Sequence, residues 1–344
     1  MADPGLGPNR SAVHWMFGGP DCPRRHLRDR LKHQVDAAPP GSTIDWATYY
    51  FRDRALAEAL MRASDRGVAI HLALEPQPRQ PHANDVVISM LREHGLNGGL
   101  ALRSGRGKGS LHAKIYCFSH PGIAWVGSFN PSGDQPEDPA LVAEIGDQDR
   151  GDNLLVGFTH ATLVNALRCH VRGLSRPRSL LDRFRPSFNR AFAVEDTRLY
   201  FYPRRRSLLV EPEIQHLSRG DRVQGAVSHL KRGPFVSALM TAARKGAAIA
   251  LLVHDTERRV PAALIEELRA AGVGVTRVGV NAAAPMHAKF LCIEQRDTAA
   301  TWAGSLNFNK RSRLHNDEVL VRSEDPFLFA ALQARFDQIA QRET

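Results

Sequence analysis

The chain repeats itself. Leu111-His112-Ala113-Lys114-Ile115-Tyr116-Cys117 returns as Met286-His287-Ala288-Lys289-Phe290-Leu291-Cys292. Each copy is trailed by a glycine-serine block, Gly127-Ser128-Phe129-Asn130 in the first and Gly304-Ser305-Leu306-Asn307 in the second. His287 follows His112 by 175 positions, and Ser305 follows Ser128 by 177. The echo extends upstream: Ala59-Leu60-Met61 matches Ala238-Leu239-Met240, and Arg66-Gly67 matches Lys245-Gly246, both at an offset of 179. Two motifs returning in the same order predict two halves of one fold.

Each half alternates strand-like and helix-like segments. In the first, Thr43 to Phe51 is rich in β-branched and aromatic residues, Arg54 to Ser64 carries a helical stripe, and Gly67 feeds the apolar strand Val68 to Leu74. In the second, Asp221 to His229, Phe235 to Arg244 and Ala247 to Val253 follow the same order. Closing strands at Asn153 to Phe158 and Glu318 to Arg322 each precede a helix. The alternation predicts an α/β sheet covered on both faces in each half. The expected division is 1–172, a basic linker at 173–196 (Arg176, Arg178, Arg183, Arg185, Arg190), and 197–344. Asp134 to Asp152 is longer than its counterpart and reads either as a lid or as a surface insertion.

A chain of 344 residues, 43% hydrophobic and 24% charged, is long enough for two ordinary soluble domains. No apolar run reaches bilayer length, and Met1 to Arg10 lacks the apolar core of a secretory signal. Cytoplasmic residence is therefore expected, with no cofactor and a monomeric chain. The four cysteines show no Cys-x-x-Cys spacing, so Cys117 and Cys292 read as buried thiols. A formal net charge of +10 favours anionic partners: nucleic acid, acidic lipid or phosphate esters.

On a strand, residues i and i+2 share a face, so His112 projects with Lys114 and His287 with Lys289. A Gly-Ser-x-Asn block ending the next strand brings a hydroxyl and an amide beside them. Two halves facing each other then offer two imidazoles, two ammonium groups, two amides and two hydroxyls. That inventory suits a phosphodiester: cations and amides stabilise the non-bridging oxygens, one imidazole attacks phosphorus, and the other protonates the leaving alcohol.

These paired blocks resemble the phospholipase D superfamily, whose signature is His-x-Lys-x(4)-Asp in two copies. The resemblance implies two similar α/β/α sandwich halves related by a pseudo-two-fold axis, with one shared active site. It also implies a metal-independent phosphodiesterase working through a phosphohistidine. By position, His112 and His287 are the nucleophile and acid pair, with His112 favoured as nucleophile. Lys114, Lys289, Asn130 and Asn307 bind the phosphate, and Ser128 and Ser305 assist. The motif Asp is replaced by Ser119 and Glu294. Glu318 is expected to orient His287. Its ungapped counterpart in the first half is Asn153, so Asp152, one residue out of register, is the expected partner of the other histidine, with Glu144 and Asp147 as further candidates.

Three substrate readings follow. The block Gly304 to Glu318, with its Arg-Ser and Asn-Asp-Glu elements, is similar to that of cardiolipin synthases, which implies a phospholipid headgroup and peripheral membrane contact. Trp15-Met16-Phe17 would then either dip into the interface or pack in the core. A nuclease acting on DNA or RNA is the second reading, supported by charge. A degenerate, non-catalytic anion-binding member is the third, and a small-molecule phosphodiester is a further substrate that the sequence leaves open.

Overall fold

The sequence repeat is a repeat of sheet topology. The computed structural model describes residues 13–103, 109–131, 150–174, 190–279 and 285–343. Glu144 and Asp147, most of the candidate lid and most of the basic linker lie outside them.

The first half runs β1 (Val13–Gly18), α1 (His26–Asp36), β2 (Thr43–Thr48), α2 (Arg54–Asp65), β3 (Ala69–Leu74), α3 (Asp85–Glu93), β4 (Leu100–Leu102), β5 (Ile115–Phe118), β6 (Ile123–Gly127), β7 (Asn153–Phe158) and α4 (Ala161–Leu174). The second runs β8 (Phe192–Val194), β9 (Thr197–Tyr202), α5 (Val210–Gln215), β10 (Arg222–Val227), α6 (Pro234–Arg244), β11 (Ala248–His254), α7 (Ala262–Ala270), β12 (Val273–Val278), β13 (Lys289–Glu294), β14 (Ala299–Gly304), α8 (Lys310–Leu314), β15 (Glu318–Ser323) and α9 (Pro326–Glu343). The sheet orders are β1-β7-β6-β5-β2-β3-β4 and β12-β11-β10-β13-β14-β15-β9-β8. Read from opposite ends the two are the same order, with β8 added at one edge. Each sheet is mixed: the βαβ crossovers make β2, β3 and β4 parallel, as they do β10, β11 and β12, and the remaining neighbours pair antiparallel.

Three cores divide the layers. One packs α1, α2 and α3 on the outer face of the first sheet, and another packs α5, α6 and α7 on the outer face of the second. The central core belongs to both halves: Leu163, Leu167 and Val171 of α4 meet Leu328, Leu332 and Ile339 of α9 between the inner strand faces. A strand buried on both faces cannot alternate polar and apolar residues, which is why Asn153 to Phe158 reads as a nearly unbroken apolar run. Trp15 and Phe17 lie in β1 and pack against this central core, so they are strand residues and not an interfacial loop.

The departures from the motif Asp are resolved locally. Ser119 Oγ accepts a hydrogen bond from Thr43 N (2.7 Å), tying the end of β5 to β2. Glu294 accepts from Arg222 Nε (3.0 Å), tying the end of β13 to β10. Different side chains close the same corner, far from the histidines.

Candidate active site between the halves

The halves are joined at the motifs by a backbone exchange that obeys the pseudo-two-fold. His112 N donates to Asp317 O (3.0 Å) and Asp317 N to Ser110 O (2.9 Å). In mirror fashion His287 N donates to Asp152 O (3.0 Å) and Asp152 N to Pro285 O (3.0 Å). The residue before each closing strand therefore pairs with the segment leading into the other half's motif. That crossing decides which acid meets which histidine.

Glu318 Oε2 accepts a hydrogen bond from His112 Nδ1 at 2.9 Å. The expected pairing of Glu318 with His287 is thus corrected: the carboxylate crosses to the first motif. His287 Nδ1 instead lies 3.1 Å from Asn153 Oδ1. The Asn153 amide is oriented by its neighbours, since its Nδ2 donates to Gly151 O (3.2 Å) and Ser128 Oγ donates to its Oδ1 (2.9 Å). Its oxygen therefore faces the imidazole, which must carry its proton on Nδ1. Both histidines are left with Nε2 as the unprotonated nitrogen. Asp152 does not touch a histidine side chain. It is held by Arg335 Nη2 (2.9 Å) and Arg342 Nη2 (2.7 Å) from α9, and Asp317 by Arg103 Nε (2.9 Å). The aspartates anchor the backbone crossing, and the next residue along each strand reaches the imidazole because successive strand side chains alternate faces.

The serines serve the same layer. Ser305 Oγ donates to Glu318 Oε2 (2.6 Å) and accepts from Val319 N (3.1 Å). Ser128 Oγ accepts from Leu154 N (3.0 Å) while donating to Asn153. Both are fully buried. The expectation that they assist at the phosphate is replaced by a hold on the groups behind the histidines. The glycines before them have a steric reason. A Cβ on Gly127 would fall 1.9 Å from Leu154 O, and one on Gly304 2.3 Å from Val319 O.

Lys114 and Lys289 are buried, and each Nζ donates to the carbonyl of its own motif histidine, at 2.6 and 2.7 Å. Burial lowers the Lys114 ammonium to about 7, and the Glu318 carboxylate opposes this only in part. Lys289 is pushed well below its ordinary value by burial and then by Lys114. Burial also takes His112 down to about 4, against the pull of Glu318. His287 falls well below its ordinary value through burial, Lys289 and Arg259. Burial by itself would raise the Glu318 carboxyl, but the charge and hydrogen bond of His112, with Lys114 and Ser305, outweigh it and hold Glu318 below the usual carboxylate range. Asn316 Nδ2 completes its shell, donating to Oε1 (3.1 Å).

His112, His287, Asn130 and Asn307 line one cavity of about 530 Å³. Asn130 Oδ1 accepts from Tyr50 N (3.3 Å), which turns its NH2 group the other way. The Tyr49 ring stands 5.2 Å from the His112 ring and 5.5 Å from Lys114 Nζ. Tyr49, His229, Arg79, Arg258, Arg259 and Arg311 also line the cavity and were not singled out from sequence. His229 was findable, because it stands 179 positions after Tyr50, at the repeat offset. Among the described residues no group of three or more His, Cys, Asp or Glu is arranged to hold a metal ion.

A family model described as cardiolipin synthase, PLD-like domain, matches residues 31–135 and 214–340. The protein belongs to the phospholipase D superfamily. No curated protein matches the chain in sequence. Among solved structures, this phospholipase D-like chain is similar to phosphatidylserine synthase from Haemophilus influenzae at 9% identity, covering 98% of this chain and 88% of that one with a TM-score of 0.68. It is also similar to polyphosphate kinase from Porphyromonas gingivalis at 13% identity, with a TM-score of 0.63 over 94% of this chain. The chain spans only 50% of the length of that kinase. At such identities the likeness speaks for the fold. The two-half arrangement with one site between the halves is the superfamily's.

Proposed function

We propose that this phospholipase D-like protein cleaves or transfers the phosphodiester of a phospholipid headgroup, with His112 as nucleophile and His287 as general acid and base. The observation that carries the reading is the unequal backing of two imidazoles in one cavity: a carboxylate behind His112 and a neutral amide behind His287.

His112 Nε2 attacks phosphorus, the bond from phosphorus to the alcohol oxygen breaks, and that oxygen takes a proton from His287 Nε2. The imidazole that becomes phosphorylated gains positive charge, and Glu318 lies where that charge is stabilised. Water or a second alcohol then loses its proton to His287 and attacks phosphorus, releasing His112. Before substrate binds His287 is neutral, its pKa depressed by burial, Lys289 and Arg259. An anionic diester offsets those cations and raises its proton affinity, so the acid forms when substrate binds. Lys114, Lys289, Asn130 and Asn307 surround the non-bridging oxygens. The family description and the basic surface support a phospholipid.

Release of headgroup from phospholipid vesicles in excess EDTA, run beside single- and double-stranded DNA, tests the substrate. Lipid turnover by the native chain, with a phosphorylated protein accumulating in His287→Ala and none in His112→Ala, is expected. Turnover of DNA alone would select the nuclease reading, and silence on both would leave an anion-binding protein.

A further inference from the structure

The His112 imidazole has two kinds of neighbour. Glu318 accepts from its Nδ1, and the Tyr49 ring, tilted by 57°, stands with its centroid 5.2 Å from that of the imidazole. The Tyr49 ring is anchored. Its hydroxyl accepts from Arg79 N (2.5 Å), and its backbone carbonyl accepts from Asn84 Nδ2 (2.8 Å). Asn84 is fully buried, and the same Nδ2 donates to Glu75 O (2.8 Å) while its Oδ1 accepts from Phe51 N (2.8 Å). Glu75 Oε2 accepts in turn from Leu111 N (2.8 Å), the residue before His112. Tyr50 packs edge-on against Tyr49, with centroids 4.6 Å apart. Ring and imidazole are thus held by one connected set of bonds.

The repeat supplies an internal control. At the offset of 179, Tyr49 corresponds to Ser228. Ser228 presents a hydroxyl 3.1 Å from His229 Nδ1 and carries no ring. The aromatic ring therefore stands on the side that also has the carboxylate.

Phosphoryl transfer changes the charge at that spot. As His112 Nε2 gives its lone pair to phosphorus, the bond from phosphorus to the alcohol oxygen breaks and that oxygen takes the proton of His287. The His112 ring keeps its Nδ1 proton and becomes a cation. A cation within about 6 Å of an aromatic centroid is attracted to the electron density of the ring, most strongly where water is excluded. The Tyr49 centroid already lies 5.5 Å from the Lys114 Nζ.

We propose that Tyr49 is a positioning residue for the nucleophile: its anchored ring stabilises the imidazolium formed when His112 carries phosphorus. With Glu318 it makes His112, and not His287, the histidine suited to a covalent bond. The inference deepens the phosphodiesterase reading and rests on His112 being the nucleophile.

The test replaces Tyr49 by phenylalanine and then by mono-, di- and trifluorophenylalanine, a series of nearly constant shape in which the ring attracts cations progressively less. The probe is vanadate, whose vanadium accepts the His112 Nε2 lone pair and leaves the imidazole charged. Inorganic phosphate, which makes no such bond, is the comparison. Vanadate affinity should fall in even logarithmic steps along the series, by at least tenfold from Tyr49→Phe to the trifluoro ring, about 1.4 kcal/mol. Phosphate affinity should change by less than threefold. The same series at the exposed Phe327 should leave vanadate binding unchanged. A flat vanadate series, an equal loss of phosphate affinity (which would place the effect on Lys114), or vanadate binding that survives His112→Ala overturns the proposal, as does a native protein that binds no vanadate. Failed phospholipid turnover with the vanadate slope intact would overturn the lipid reading alone.

Discussion

The Glu318 carboxylate accepts from a histidine in the other half of the chain, 206 residues away: His112 Nδ1 lies 2.9 Å from Oε2. Its topological equivalent, Asn153, reaches back to His287. The site is therefore symmetric in geometry and asymmetric in charge.

Removing the carboxylate should disable the nucleophile. Glu318→Gln keeps the shape but loses the charge, and kcat should fall by about 100-fold or more, the scale of a positioned acid or base. Because Glu318 opposes the fall of the His112 pKa to about 4, its loss drives that pKa lower still. The acid limb of the pH–rate profile should move down while the plateau drops. A profile unchanged in height would sink the assignment.

Supplying a carboxylate to the other histidine should do the opposite. Asn153→Asp places an anion against His287 Nδ1, and an adjacent opposite charge raises a pKa by about 1–3 units. The limb belonging to His287 should move to higher pH by at least one unit. The Gly151 carbonyl, which now accepts from the Asn153 amide at 3.2 Å, would face a carboxylate oxygen, so stability should fall in step. Denaturant melts and pH–rate profiles separate the two effects.

The buried lysines trade stability for function. Lys289 is held below its ordinary pKa by burial and Lys114, so the unfolded chain binds its proton more tightly than the folded one. Stability therefore rises with pH from about 7, where Lys114 sits, toward the ordinary lysine value of 10.5. Lys289→Met should abolish turnover yet raise stability at pH 7 by at least about 1 kcal/mol, and flatten that slope. A less stable variant would contradict the charge account.

Acid should unfold the native protein early. His112 has a folded pKa of about 4 against 6.5 when unfolded, and His254 one of about 3. Between those limits the unfolded chain binds more protons, so stability is lost as pH falls from 6.5. Thermal melts between pH 7 and 4 should show a steep decline, shallower in His254→Gln.

Each half alone should be inert. Residues 1–172 contain His112 without Glu318, and 197–344 contain His287 without Asn153, so neither imidazole keeps its partner. Turnover by a monomeric half would refute the shared site.

Much of this molecule was legible in one dimension. A repeat whose offset stays between 175 and 179, strands and helices in fixed alternation, and His-x-Lys with Gly-Ser-x-Asn in both copies determined the two-sheet architecture and named the histidines, lysines and asparagines around the cavity. Local spacing carries that information because strand and helix periodicities are local properties. What only the tertiary structure decided was who faces whom. The sequence suggests that each histidine is served by its own half, and the backbone exchange of His112 with Asp317 and His287 with Asp152 reverses this. It also turns the aspartates toward Arg103, Arg335 and Arg342 and sends Glu318 and Asn153 across the interface. Partners chosen by a pseudo-two-fold axis are separated by half the chain, and no local pattern records them.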